Sequence, residues 1–312
     1  MALRALLLLP MLSVPSVQPR SLMRGTFLQL WPSHFDLTPM QWRDRLRQTY
    51  RLGCRDLVVQ WAGMQGGALP WQASDTMLTT LLDQASESGL SVQVGMPYDE
   101  RWWTLLAQAD NDALSDYLDH IGSQGAAFMD AAPWSRHAAF KGWYIPYELE
   151  QFNWASSERL ALLLPWLEKL AWASNSVPGI STYYSRLPGA GSLTMIWNAI
   201  LDNVQVRPML QDGVGVAGLA NFNALTPLLD MLRTRRTTFD LIVELFEERP
   251  SARSDGSTFS AVAGDFNRIH RQLRLAGMSG ATRVLGFALD PWLLGESAEA
   301  LRLHRAWLRT FS

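Results

Sequence analysis

The chain has 312 residues, 48% hydrophobic and 18% charged, with a formal net charge of −2. That is apolar material for one large domain or two ordinary ones, and too balanced a charge for general attachment to nucleic acid or anionic membranes. One cysteine, Cys54, excludes a disulfide framework and a cysteine-based zinc site, and two lysines, Lys141 and Lys169, leave little room for Schiff-base chemistry.

Residues 1–21 read MALRALLLLPMLSVPSVQPRS. A basic residue, Arg4, precedes the apolar run Ala5–Leu12, and small residues and prolines follow. This is the order of a secretory signal peptide, and the run is too short to span a bilayer. The expectation is a periplasmic or secreted protein whose mature chain, residues 22–312, is one domain without membrane insertion.

From Arg24 onward two textures alternate. Eight short apolar runs recur: Gly25–Trp31, Asp56–Trp61, Ser91–Met96, Gly142–Tyr147, Gly179–Tyr184, Asn203–Leu210, Phe239–Phe246 and Arg283–Leu289. Most follow a glycine or polar residue and are apolar throughout, as parallel strands buried on both faces should be. Helical spacing fills the intervals. Thr38-Pro39 starts one helix and Gly53 stops it. Ser74–Ser88 is stopped by Gly89, and Ser156–Ser174 carries Leu160, Leu163, Leu164, Leu167 and Leu170 on one stripe. Helices are also expected over Ala220–Arg236, Ser260–Ala276 and Glu296–Arg309. A βα unit repeated eight times predicts an α/β fold of the (β/α)8 TIM-barrel type. A doubly wound open sheet is the main competitor, but it usually has fewer strands per domain.

Chemistry in such barrels sits at the C-terminal ends of the strands. In chain order those ends carry Trp31, then Gln60 and Trp61, then Tyr98, then Tyr147, Glu148 and Glu150. They continue with Tyr183, then Gln211 and Asp212, then Glu244 and Glu247, and finally Trp292. The ring is rich in carboxylates, aromatics and amides, and poor in His, Lys and Cys. Aromatic faces cover the apolar C–H surface of sugars, amides and carboxylates match their hydroxyls, and a pair of carboxyl groups cleaves glycosidic bonds.

Glu148 and Glu244 are the candidate catalytic pair. Each sits in an apolar run, Trp-Tyr-Ile-Pro-Tyr-Glu and Leu-Ile-Val-Glu-Leu-Phe, and burying an unpaired charge there is costly. Trp31, Gln60, Trp61, Tyr98, Tyr147 and Tyr183 are candidate substrate contacts, as are Gln211, Asp212, Glu247 and Trp292. Asp212 precedes Gly213 and is equally readable as a turn-former; Glu150 is a lesser candidate. Trp42, Trp166, Trp172 and Trp307 fall within helices, while Trp31, Trp61, Trp71, Trp102, Trp103, Trp154 and Trp292 fall at strand ends or in the loops after them.

Other motifs carry less. Gly213-Val-Gly215-Val-Ala-Gly218 has the G-x-G-x-x-G spacing, but it follows the sixth strand rather than opening a first βαβ unit. It reads better as a turn that lets backbone approach closely. The five histidines show no zinc-hydrolase spacing, and a G-x-S-x-G elbow is absent.

Gly25–Trp31, Gly142–Glu148, Gln211–Gly215 and Val243–Glu247 resemble a bacterial family of glycoside-hydrolase-like TIM barrels catalogued as domain of unknown function 4434. The resemblance covers about residues 24–290. More distantly the layout is similar to retaining glycosidases with the acid/base Glu on strand four and the nucleophile Glu on strand seven. It implies that Glu148 is the acid/base, Glu244 the nucleophile, and Trp292 the aromatic platform under the sugar. That clan usually has Asn before the strand-four Glu, where this chain has Tyr147. The expected function is an exported glycoside hydrolase acting on an oligo- or polysaccharide, with no cofactor or metal. The alternative is a non-catalytic carbohydrate-binding barrel accessory to polysaccharide biosynthesis or export.

Overall fold

The computed structural model describes residues 22–183, 192–249 and 260–311. The expected signal peptide lies outside the described residues. Among them, eight parallel strands close a barrel: β1 (Gly25–Leu28), β2 (Asp56–Val59), β3 (Ser91–Gly95), β4 (Phe140–Leu149), β5 (Gly179–Thr182), β6 (Arg207–Gln211), β7 (Asp240–Glu244) and β8 (Arg283–Phe287). Closure is made by β8 pairing with β1, Leu285 opposite Gly25. An outer layer follows in the same order: α1 (Pro39–Arg51), α2 (Asp75–Glu87), α3 (Asn111–Ala131), α4 (Ser157–Ala173), α5 (Leu193–Asn203), α6 (Thr226–Thr234), α7 (Phe266–Met278) and α8 (Ala298–Phe311). None of the described helices is long and apolar enough to cross a membrane.

Side chains alternate along each strand, so every second residue enters the lumen, and the lumen fills in layers. The N-terminal layer is ionic. Asp240, fully buried, accepts two hydrogen bonds from Arg207 (2.8 and 2.5 Å), and Arg283 reaches the same carboxylate at 2.5 Å. Arg283 also donates to Gln93 Oε1 (2.7 Å). Above this plug lies an apolar layer of Phe27, Val58, Tyr144, Met209, Ile242 and Leu285. Tyr144 OH satisfies its polarity against Ser181 Oγ at 2.7 Å. The next lumen-facing positions, two residues further along β2, β6 and β7, are Gln60, Gln211 and Glu244. They form the mouth.

The helix starts are chemically specified. Thr38 and Gln41 make a reciprocal capping box on α1 with Pro39 at its first position. Ser74 and Ser156 accept backbone N–H groups of α2 and α4.

Several boundaries depart from the sequence reading. The strand expected over Asn203–Leu210 starts only at Arg207, because α5 runs through Asn203. β7 stops at Glu244. Phe246–Glu248 peel away and pair antiparallel with Ala261–Ala263, so the helix expected from Ser260 begins at Phe266, capped by Asp265. The helix expected over Ala220–Arg236 is two pieces, Ala220–Ala224 and α6, with Pro227 in the first turn of the second. Gly63–Gln65, Trp71–Gln72 and Tyr98–Asp99 form a small rim sheet not anticipated from their mixed polarity. Trp172 lies within α4 as expected, and it is 86% exposed.

The plug yields a direct test. Asp240→Ala leaves the Arg207 and Arg283 guanidinium groups without their buried counter-ion, which is expected to cost about 3–5 kcal/mol. Urea unfolding of the variant should show the midpoint falling accordingly; an unchanged midpoint would show that the plug contributes nothing to stability.

Candidate active site

β4 is irregular where it reaches the mouth. Ile145 pairs with Ile180 and Leu149 with Thr182, so β4 spends four residue steps where β5 spends two. Pro146, which has no N–H to offer a ladder, lies in this bulge. Alternation from the lumen-facing Tyr144 still holds across the bulge, with Tyr147 outside and Glu148 inside. Tyr147 is 1% exposed and packs outward against the Trp102 ring (4.9 Å between centroids) and the Trp166 ring (5.7 Å). Its hydroxyl accepts the Asp99 N–H at 3.2 Å. Tyr147, expected to touch substrate, is therefore a wall residue behind the site.

Glu148 is half-buried, and its Oε1 accepts a hydrogen bond from the side-chain amide of Gln211 on β6. Burial raises its pKa above the ordinary carboxylate value, and the Gln211 contact offsets part of that rise. Glu150, the lesser candidate, is 4% exposed and caps the following turn, accepting the N–H groups of Phe152 and Asn153.

Glu244 ends β7 and is 2% exposed. Its Oε2 accepts the Gly215 N–H at 2.7 Å. A Cβ at residue 215 would lie 2.9 Å from that same oxygen and 2.6 Å from Phe246 O, so only glycine lets the backbone come this close. This is the use of the Gly213-x-Gly215 turn. Burial first, and then the charge of Asp212, raise the Glu244 pKa well above the ordinary value; Glu148 adds to the rise. The charge of Glu148 is therefore felt at Glu244.

Asp212 has no exposed surface. Its Oδ1 accepts the N–H groups of Val214 (3.1 Å) and Glu244 (3.3 Å), and its Oδ2 accepts Gln272 Nε2 from α7 (2.7 Å). Burial pushes its pKa up to about 6 despite those donors. Asp212, expected to contact substrate, instead braces Glu244 from below.

The remaining candidates divide by position. Tyr183 lies close enough to Glu244, Glu248 and Glu148 that burial and those three charges push its pKa up to about 12. Glu248, not singled out from the sequence, lies near enough to Tyr183 for its charge to be felt there. Glu247 points the other way, exposed in a cavity that also holds Asp265, Glu299 and Arg302. Trp292 is half-buried against Phe246 (5.7 Å).

On the opposite wall Trp31, 43% exposed, stands edge-on to Trp61 (5.6 Å), which stacks on Tyr98 (5.9 Å). Trp61 is itself largely buried and donates Nε1 to Leu30 O at 2.8 Å. Trp102 and Trp154, read as rim residues, are fully buried. Gln60 is 8% exposed, and its Oε1 has no hydrogen-bond partner among the described residues. Among the described residues no cluster of three or more His, Cys, Asp or Glu side chains is arranged to hold a metal ion.

The chain belongs to the family described as Domain of unknown function (DUF4434), whose model matches residues 23–299. It is 27% identical over 199 residues to the Escherichia coli (strain K12) protein YbcH, described as uncharacterized, a match covering 62% of this chain and 66% of YbcH. The fold is similar to that of a Bacteroides thetaiotaomicron protein provisionally described as an alpha-L-fucosidase, with a TM-score of 0.68, 17% identity, and 100% and 99% of the two chains covered. It is also similar to the hyperthermostable endo-1,4-beta-D-mannanase of Thermotoga petrophila, with a TM-score of 0.58, 11% identity, and 92% and 99% covered. These likenesses establish the (β/α)8 barrel fold.

The crowding of Asp212 and Glu244 has a measurable sign. Both have folded-state pKa values raised above their unfolded ones, so their contribution to stability is full at low pH and is lost as pH rises, for Asp212 between about 4 and 6. Glu244→Gln keeps the shape, keeps an acceptor for Gly215 and removes one charge. It is expected to stabilise the protein by about 1 kcal/mol, or roughly 2 °C in Tm, with the gain growing as pH rises. Urea melts at acidic and neutral pH test this; a variant less stable at both would contradict it.

Proposed function

We propose that this chain is a glycoside hydrolase that cleaves an oligo- or polysaccharide with Glu148 and Glu244, and that residues 1–21 direct its export. The observation that carries the reading is the meeting of half-buried Glu148 and buried Glu244, which feels the Glu148 charge, at the barrel mouth beside the Trp31–Trp61–Tyr98 wall. Gln60 Oε1, a buried acceptor without a donor, is the kind of group a sugar hydroxyl satisfies.

In this mechanism Glu148 donates its proton to the glycosidic oxygen as the C–O bond breaks. Glu244 attacks the anomeric carbon and forms a glycosyl ester. Glu148, now ionised, takes a proton from water, and that water displaces Glu244. The active form carries one proton, on Glu148, with Glu244 ionised. The Gly215 N–H favours that ionised form, while Asp212 and burial oppose it. The kcat/KM profile against pH should therefore be bell-shaped, rising as Glu244 ionises above the ordinary carboxylate range and falling as Glu148 loses its proton.

A non-catalytic sugar-binding barrel is favoured by one observation, the near-complete burial of Glu244 beside Asp212, which suits a neutral hydrogen-bonding group. Azide rescue separates the two. With activated aryl glycosides, Glu148→Ala plus azide should give a glycosyl azide of retained configuration, and Glu244→Ala plus azide one of inverted configuration. Each variant alone should lose at least about 100-fold in kcat. Failure of the wild type to cleave any sugar in a broad aryl-glycoside and glycan panel, with binding intact, would favour the non-catalytic reading.

A further inference from the structure

A cavity of about 360 Å³ opens at the seam where the barrel closes, between the loops that follow β1 and β8. It is lined by Gln29, Trp31, His34, Arg45, Asp290 and Pro291. Gln29 lies two residues beyond Phe27 on the lumen-facing parity of β1, so the cavity continues the mouth sideways. His34 accepts the Trp31 backbone N–H at Nδ1 (3.1 Å), and its ring stacks on Trp42 (5.8 Å). That clamp fixes the backbone at Trp31, and Trp31 remains 43% exposed.

Arg45 of α1 and Asp290 pair across the floor, with side chains 34% and 32% exposed. The same two residues and Pro291 line a neighbouring cavity of about 600 Å³ with Gln41, Asp44, Gln48 and Glu296. The two cavities form one groove with the ion pair at the divide. Its free polar groups are amides and carboxylates. Arg45 is already neutralised by Asp290, and burial followed by the Arg45 charge lowers the His34 pKa, keeping the imidazole neutral. Among the described residues the groove therefore presents no spare cation to a uronate or sulfate group.

The groove is connected to the glutamates by the aromatic row. Tyr98 lies near enough to Glu148 to sense its charge, Trp61 stacks on Tyr98, and Trp31 stands against Trp61. A chain of sugar rings leaving Glu148 along this row reaches the groove.

We propose that this groove is a distal subsite for an extended, uncharged glycan, with one sugar ring on Trp31 and the hydroxyls of that unit shared between Arg45 as donor and Asp290 as acceptor. The inference rests on the glycan reading given above and deepens it. The substrate it names is a chain of neutral units, and not a small aryl or disaccharide glycoside.

The test is isothermal titration of the full chain carrying Glu148→Gln with cello-, manno- and malto-oligosaccharides, from dimer to hexamer, and with oligogalacturonates of the same lengths. The expected result is a neutral series in which the hexamer binds more tightly than the dimer. Trp31→Ala, and separately Arg45→Met, should lower the hexamer-to-dimer affinity ratio about tenfold. Asp290→Asn, which keeps the shape of the pair, should lower it in the same direction. Thermal melting of each variant checks that the fold is retained. Length-dependent binding that none of the three variants alters would overturn the subsite while leaving the glycan reading intact. Preference for the oligogalacturonates would overturn the neutral class. Absence of binding to every glycan would overturn the glycan reading itself and the subsite with it.

Discussion

A fully buried carboxylate, Asp212, organises the mouth of this barrel. It accepts hydrogen bonds from the backbone of β7, the turn after β6, and the amide of Gln272 on α7. Hydrogen bonds to a charged group contribute about 1.5–3 kcal/mol each, and without them a buried charge would not be tolerated. Three elements are thereby fixed to one another, and Glu244 has little freedom left. Gly215 completes the clamp by bringing its N–H to the Glu244 carboxylate. The cost is electrostatic, since two carboxyl groups are crowded together with little solvent exposure.

The layering of the lumen explains why that cost is sustained at one end only. At the N-terminal end, charges meet counter-charges: Asp240 has Arg207 and Arg283. In the middle the side chains are apolar. At the C-terminal end Glu244 faces the charges of Asp212 and Glu148, only partly offset by Arg268, and Glu148 faces the Gln211 amide, so both are perturbed rather than neutralised. Glu148 and Glu244 are thus distinguished from the acids of the plug by their partners more than by their burial. The same contrast separates Glu248, which faces Tyr183, from Glu247, which faces away among Asp265, Glu299 and Arg302.

Much of the fold was legible in local sequence. Apolar runs bounded by glycine or polar residues marked the eight strands, and Thr38-Pro39, Ser74 and Ser156 marked helix starts through caps that operate within a single turn. Reading failed where pairing was non-local. Nothing local to Phe246 says that it leaves the barrel to pair with Ala263, and the rim strand at Gly63–Gln65 exists because Trp71–Gln72 and Tyr98–Asp99 flank it. Tyr147 was expected at the mouth because it adjoins Glu148 at the strand end, although alternation from the lumen-facing Tyr144 turns it outward, where it packs against Trp102 and Trp166.

The sequence by itself determined the (β/α)8 repeat, the identity of the two glutamates in apolar runs, and the glycine turn after β6, because periodicity, composition and φ preference are properties of neighbouring residues. Only the tertiary structure decided which carboxylates share a site. It set Asp212 behind Glu244, turned Tyr147, Trp102 and Trp154 into the core, and left Trp31 beside the Arg45–Asp290 pair. Those outcomes depend on groups far apart in the chain, such as Asp212 with Gln272 or Arg45 with Asp290, which meet only when the barrel closes.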